Sequence, residues 1–205
     1  EYDVVKDQEN VAVIGAGPGV LMCAFDLAKK GYRVTIFEAS SVAGGMLKLG
    51  VPEYRLPREL IDLEIKSILA LGPALKLNQA LGRDFSLADL RQEYDAVFLG
   101  IGTYASRKLN VEGEQFDSVL RAVDFLINVN LGGYSLDLGK RIIVIGGGNV
   151  AMDVARTAAR LGHPQQGSGD MEVALDVARA ARRLGATQEV HCLVVEDRSE
   201  MLADP

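Results

Sequence analysis

Two stretches of the chain share one arrangement of apolar and polar positions. Residues 11–14 (VAVI) form an unbroken apolar run, GAGPG follows at once, and LMCAFDLAKKG then has helical periodicity. The next segment, YRVTIFE, reads as a strand that closes on an acid. Residues 141–145 (RIIVI) open the same plan, followed by GGGN and VAMDVARTAARLG. A short apolar run bounded by glycine reads as a buried strand, and recurrence at i, i+3 and i+4 reads as helix. Strand, glycine turn, helix and strand make a βαβ unit, which needs a parallel sheet. The pattern predicts an α/β protein with two Rossmann-like dinucleotide-binding units.

Between these units the periodicity predicts a helix over 58–71 that stops at Gly72-Pro73, and a strand over 74–78. It predicts a short helix over 86–92, with Ser86 as N-cap and Asp89 three residues on as a loose capping box. Residues 95–101 (DAVFLGI) read as a buried strand entering Gly102, and 119–131 as a helix before the loop Gly132-Gly133. The expected organisation is a first dinucleotide unit over 8–115, a connecting helix and linker over 116–140, and a second unit over 141–205.

Composition narrows the function classes. A chain of 205 residues with 48% apolar and 24% charged residues is ordinary for a globular protein. Its apolar runs reach about five residues against the ~20 needed to span a bilayer, and no secretory signal pattern is visible. The expectation is a cytoplasmic protein with no membrane role. A net charge of −6 argues against a nucleic-acid partner, because no basic stripe exists to displace phosphate counterions. Cys23 and Cys192 stand far apart with no CxxC, so neither a disulfide scaffold, a flavin–disulfide pair nor a metal or iron–sulfur site built by this chain alone is expected. Each reads as a small core residue, and His163 and His191 have no sequence partner that makes a ligand or base. No catalytic constellation stands out, which fits chemistry supplied by cofactors.

The first glycine loop is Gly15-Ala16-Gly17-Pro18-Gly19-Val20. Gly15 serves the tight turn, and Gly17 lets backbone approach a pyrophosphate. The helix N-terminus then offers that anion free N–H groups and partial positive charge. Glu38 ends the second strand 23 residues after Gly15, where a carboxylate accepts both ribose hydroxyls of an adenosine. Val20 replaces the last glycine of the pattern, which predicts a helix pushed slightly outward, with Gly19 as a candidate compensation.

Further markers are Gly44-Gly45-Met46, the segment PEYRLP over 52–57, and FLGIGTYASRKL over 98–109 followed by VEGE. With the first loop, these closely resemble the family containing the glutamate synthase small subunit and the N-terminal flavin-binding half of dihydropyrimidine dehydrogenase. The likeness runs over about residues 8–204. It implies FAD at the first loop, with contacts at Gly17, Glu38, Met46, Arg55, Leu81 and Gly102. Residue by residue, Arg55 stands between two stiffening prolines, and Met46 follows two glycines, including Gly45, that let its backbone approach a ring. Leu81 fits a core position equally well.

The second loop, Gly146-Gly147-Gly148-Asn149-Val150-Ala151, has the GxGxxA form, with Ala151 small enough for close helix–strand contact. The resemblance implies a nicotinamide dinucleotide there. Glutamate synthase small subunits usually carry two arginines before an S…EMPA segment, and those take the 2′-phosphate. This chain instead has Val195-Glu196-Asp197-Arg198, with Leu202 in place of the proline. A carboxylate accepts from a hydroxyl and repels a phosphate, so Glu196 reads for NAD(H) over NADP(H), while Arg198 keeps the alternative open.

An internal repeat stretches this unit: VAMDVARTAARLG (150–162) recurs as VALDVARAARRLG (173–185), identical at ten of thirteen positions. Gly146 is therefore 50 residues from Glu196, against the usual ~20. Gly167-Ser168-Gly169-Asp170 precedes the second copy, but no strand aims it, and it is not expected to bind phosphate. Asp153 and Asp176, at matching repeat positions, read as helix-surface acids.

The resulting expectation is the flavoprotein component of an oxidoreductase. Hydride would pass from NADH to FAD, then single electrons to an iron–sulfur partner and a terminal catalytic subunit. Two alternatives remain: an NADPH-dependent glutamate synthase small subunit, and a non-catalytic assembly subunit or fragment that keeps the fold. The second unit stops about ten residues after its second strand, so the sequence reads as truncated at its C-terminus.

Overall fold

This computed structural model describes residues 9–105, 111–132, 138, 141–146, 148–161 and 189–193. Two units divide the chain, Glu1–Tyr104 and Ala105–Pro205.

In the first unit, β1 (Asn10–Ile14), β2 (Arg33–Phe37), β3 (Ala74–Lys76) and β4 (Ala96–Leu99) form a parallel sheet in the order β3-β2-β1-β4. β1 is an inner strand with both faces covered, which is why its sequence is an unbroken apolar run. Val11 and Val13 point to one face, where they pack with Val20, Leu21 and Ala24 of α1 (Pro18–Lys29) and with Ile61 and Ile65 of α3 (Arg58–Leu69). Ala12 and Ile14 point to the other face, toward Phe37 and Leu90 of α4 (Leu87–Glu93). The alternation of side chains along a strand thus builds a three-layer α/β/α sandwich around VAVI.

Local signals set the ends of these elements. Pro18 occupies the first turn of α1, where its missing N–H leaves no intrahelical bond unmade. Ser86 Oγ accepts the Asp89 N–H at 3.2 Å while Asp89 Oδ2 accepts the Ser86 N–H at 2.9 Å, so the expected capping box starts α4. A one-turn helix, α2 (Met46–Leu49), follows Gly44-Gly45 and was not anticipated.

The 95–101 run reads as a buried strand, but among the described residues β4 is an edge strand, with Phe98 42% and Leu99 51% exposed. An apolar run specifies a strand; whether a neighbour covers it is tertiary information.

In the second unit, β5 (Arg141–Ile145) pairs in parallel with β6 (Glu189–Leu193), and α6 (Asn149–Leu161) follows β5. Val144 packs with Ala151 and Ala155. On a further face of α6, Ala158 meets Phe125 and Leu126 of α5 (Ala122–Asn130). Asp153 is only 7% exposed, against the expectation of a surface acid. α6 is buried on more than one side, as Ala151, Asp153, Ala155, Thr157, Ala158 and Ala159 together require. The repeat copy at 173–185, with Asp176, lies outside the described residues.

Candidate functional site

The strand register brings the first glycine loop to the carboxyl end of the sheet. Ile14 pairs with Phe37 and with Leu99, and Phe37 pairs with Lys76, so the loops after all four strands leave from one edge. The strand order reverses direction between β1 and β4, and open parallel sheets bind ligands at such a switch point.

Gly15 leaves β1 with φ +105° and donates its N–H to Phe37 O at 2.7 Å. A Cβ at Gly15 would lie 2.5 Å from the Gly100 carbonyl oxygen, so both its conformation and its surroundings demand glycine. Gly17 is the N-cap of α1 and accepts the Leu21 N–H at 2.9 Å. A Cβ at Gly17 or at Gly19 would meet no atom within 4 Å. The loop therefore presents open backbone at a helix N-terminus, the form of cradle that accepts a phosphate group.

Glu38 follows β2 and is only 5% exposed. Its Oε2 accepts the Ala16 N–H at 2.7 Å and its Oε1 accepts the Ser40 N–H at 2.8 Å. The carboxylate thus straps the glycine loop to the segment after β2, a structural task that the sequence did not disclose. Each oxygen retains acceptor capacity for a ribose hydroxyl.

The segment after Glu38 returns to the same loop. Gly44 donates its N–H to Ala16 O at 2.8 Å, and a Cβ at Gly45 would lie 2.7 Å from Gly17 Cα. Gly45, at φ +55°, is the N-cap of α2, and the half-buried Met46 is its first residue. The Met46 methyl fills the position of a missing side chain at Gly50. Arg55 lies exposed in the turn after Pro52. Sequence reasoning passed over Arg58, which donates to Leu47 O at 2.9 Å and Val51 O at 2.7 Å and thereby ties α2 to the start of α3. Burial pushes the Arg58 pKa down, while Glu53 and Asp62 oppose that shift. Lys48 and Asp62 add an ion pair between the same two helices.

Leu81 packs against the cluster of Ala12, Ile14, Phe37 and Leu90, which gives it a core role. Gly102, at φ +71°, turns the chain after β4.

In the second unit, Gly146 leaves β5 at φ +119°, and a Cβ there would sit 3.5 Å from Ala151 Cβ. The small residue at 151 thus permits close approach of helix and strand. Gly148 accepts the Met152 N–H at 3.1 Å and has open space on its Cβ side. Asn149 and Val150 begin α6, both exposed. Gly147, Glu196, Asp197, Arg198, His163 and the segment Gly167–Asp170 lie outside the described residues; the backbone of β6 ends at Leu193, three residues before Glu196.

Among the described residues there is no group of three or more potential metal ligands, and no helix is long and apolar enough to cross a membrane. Cys23 is half-buried in α1, its thiol pushed up by burial and by Asp26. A shallow groove over residues 114–128 includes no glycine-loop residue.

The family profile described as pyridine nucleotide-disulphide oxidoreductase matches residues 9–205. The chain is 47% identical over 164 residues to the NADP(+)-dependent formate dehydrogenase subunit beta of Moorella thermoacetica, covering 79% of this chain and 23% of that protein. It is 40% identical over 170 residues to the glutamate synthase [NADPH] small chain of Escherichia coli, covering 78% and 36%. It is 40% identical over 159 residues to the NAD-dependent dihydropyrimidine dehydrogenase subunit PreT of Salmonella typhimurium, covering 78% and 38%. The chain thus spans about a quarter to two-fifths of the length of these relatives. Mycobacterium tuberculosis FprA, solved in complex with NADPH, superposes with a TM-score of 0.70 at 26% identity, covering 90% of this chain and 43% of that one.

Proposed function

Because the chain belongs to the pyridine nucleotide-disulphide oxidoreductase family, we propose that it forms the flavin- and nicotinamide-binding part of a multi-subunit electron-transfer oxidoreductase. FAD is assigned to the first glycine loop and a nicotinamide dinucleotide to the second. FAD there would supply the exchange of a two-electron hydride for single electrons, which in this reading would go to an iron–sulfur partner and a terminal catalytic subunit.

The observation that carries this reading is the pairing of an open backbone cradle with a buried carboxylate beside it. Gly17 and Gly19 leave room at the α1 N-terminus, and Glu38 is held against the same loop by the Ala16 N–H. A pyrophosphate fits the first feature and an adenosine ribose the second. Gly45 keeps the chain close behind Gly17, so the cradle is backed by backbone. Met46, Arg55 and Gly102 are assigned to the flavin or its diphosphate, and Gly146, Gly147, Gly148, Asn149 and Val150 to the nicotinamide dinucleotide. Leu81 is assigned to the adenosine through its backbone only, because its side chain serves the core.

Glu196 and Asp197 favour NADH, since carboxylates accept ribose hydroxyls and repel a 2′-phosphate. The names of most of the relatives, among them the formate dehydrogenase subunit, the NADPH-Fe(3+) oxidoreductase subunit and the glutamate synthase small chain, carry NADP(H), and that of the dihydropyrimidine dehydrogenase subunit carries NAD.

The test is the absorbance spectrum of the purified chain after incubation with FAD and gel filtration, followed by anaerobic titration with NADH and NADPH. Retained flavin that bleaches with a nicotinamide supports the reading. A colourless protein supports the alternative of an assembly subunit that keeps the fold.

A further inference from the structure

Tyr104 stands at the switch-point edge of the first unit and was not among the residues expected there. β4 ends at Leu99 opposite Ile14, and Gly100 donates its N–H to Ile14 O at 2.9 Å, so the chain leaves β4 directly beside the Gly15 loop. Gly102 then turns with φ +71°, and the Tyr104 ring folds back over it, 3.4 Å from the position of a Gly102 Cβ. Tyr104 is 36% exposed.

From this placement we infer that the Tyr104 ring closes over the adenosine end of a dinucleotide held at Glu38 and the first glycine loop. The inference rests on the FAD assignment proposed above and adds a ligand-facing residue to it. Burial, and then the negative charge of Glu38, push the Tyr104 phenol above its usual pKa. A base has a π-face that an aromatic ring can cover, and cover there shields the carboxylate–ribose hydrogen bonds from water.

The test uses the 205-residue chain and two probes, FAD and AMP. Isothermal titration, which does not depend on the substituted tyrosine, reports AMP binding, while quenching of flavin emission reports FAD. The expected result is a rise of about tenfold in Kd for both probes in Tyr104→Ala, the lower end of the effect of removing a stacked base contact. Tyr104→Phe stays within about twofold of the unmodified chain. Tyr104→Leu, which keeps apolar bulk without a π-face, behaves as the alanine variant, and unchanged circular dichroism shows that each variant is folded. Unchanged affinity in Tyr104→Ala overturns the inference while leaving the FAD assignment intact. Equal losses in the phenylalanine and alanine variants also overturn it, because they move the role to the hydroxyl. Failure of the unmodified chain to bind either probe overturns the FAD assignment and this inference with it.

Discussion

The buried side chain of Val20 occupies the space that a side chain at Gly100 would need: a Cβ built on Gly100 would overlap Val20 Cγ2. The last glycine of a dinucleotide loop ordinarily allows close helix–strand packing. Here the helix carries a valine, and the relief comes from a strand-end residue 80 positions later. Gly19, the candidate compensation by sequence, has no atom near its Cβ direction and relieves nothing.

This relationship predicts a coupled pair. Gly100→Ala forces overlap with Val20 and destabilises the first unit by roughly 1–3 kcal/mol, the scale of overpacking. Val20→Ala combined with Gly100→Ala restores much of that loss, because the new methyl takes the vacated volume. Urea unfolding of the four proteins measures the coupling. A double variant less stable than either single one would show that the two residues do not share the space.

Gly17→Val should abolish FAD binding and leave the fold intact. A Cβ at position 17 meets nothing within 4 Å of the protein, so the added side chain occupies only the cradle. Gly17 also has φ −75°, a conformation open to any residue. Unfolding should be nearly unchanged while flavin is lost on gel filtration; flavin retained by this variant would locate the pyrophosphate elsewhere.

Much of this site was legible because it is local. The segment from Val11 to Glu38 contains its own strand, turn, helix and acid, and the register of β1 with β2 follows from that compact loop. The capping box at Ser86 and Asp89 was legible for the same reason. What the sequence hid depends on distant partners. The match of Val20 to Gly100, the exposure of β4 and the burial of Asp153 each require knowing what lies against an element. The one-turn α2 was hidden for another reason: four residues show no periodicity, and its position is held by Arg58 from the next helix.

Glu38 has two tasks, and its variants should separate them. Glu38→Ala removes the acceptor for the Ala16 and Ser40 N–H groups and the proposed acceptor for the ribose. FAD affinity should fall by roughly 1.5–3 kcal/mol, the range for hydrogen bonds to a charged group, and stability should fall as well. Glu38→Gln keeps one carbonyl acceptor, so it should recover stability more than it recovers FAD affinity. Isothermal titration and thermal unfolding supply the two numbers; equal recovery of both would assign Glu38 to the fold alone.

Arg58→Gln should loosen the flavin half of the site and spare the adenosine half. The guanidinium bridges the carbonyls of Leu47 and Val51, and the helix it holds is capped by Gly45, against Gly17. Loss of the bridge should raise the Kd for FAD about tenfold, equal to ~1.4 kcal/mol. AMP, which does not reach α2 if its ribose sits at Glu38, should bind as before. A parallel loss for AMP and FAD would mean that the variant disturbs the whole unit.

The choice of nicotinamide is predicted to lie with Glu196. The backbone of β6 runs parallel to β5 and ends three residues before this position, as β2 ends one residue before Glu38. Glu196 is proposed to meet the adenosine ribose of the second loop. A hydroxyl there donates to the carboxylate, whereas a 2′-phosphate meets like charge and lacks a counter-cation. This difference should amount to about 1–3 kcal/mol, or roughly 5- to 150-fold in binding. NADH should therefore reduce the bound flavin at lower concentration than NADPH. Glu196→Ser together with Asp197→Arg removes one negative charge and replaces the other by a guanidinium able to hold the phosphate in a fork. That double variant should reverse the preference, and its reversal should weaken as salt is raised, because the new contact is a charge pair that salt screens. Anaerobic bleaching of the flavin with each nicotinamide, at two ionic strengths, measures both effects. If the unmodified chain is reduced as well by NADPH as by NADH, Glu196 does not face the ribose, and Arg198 becomes the residue to substitute.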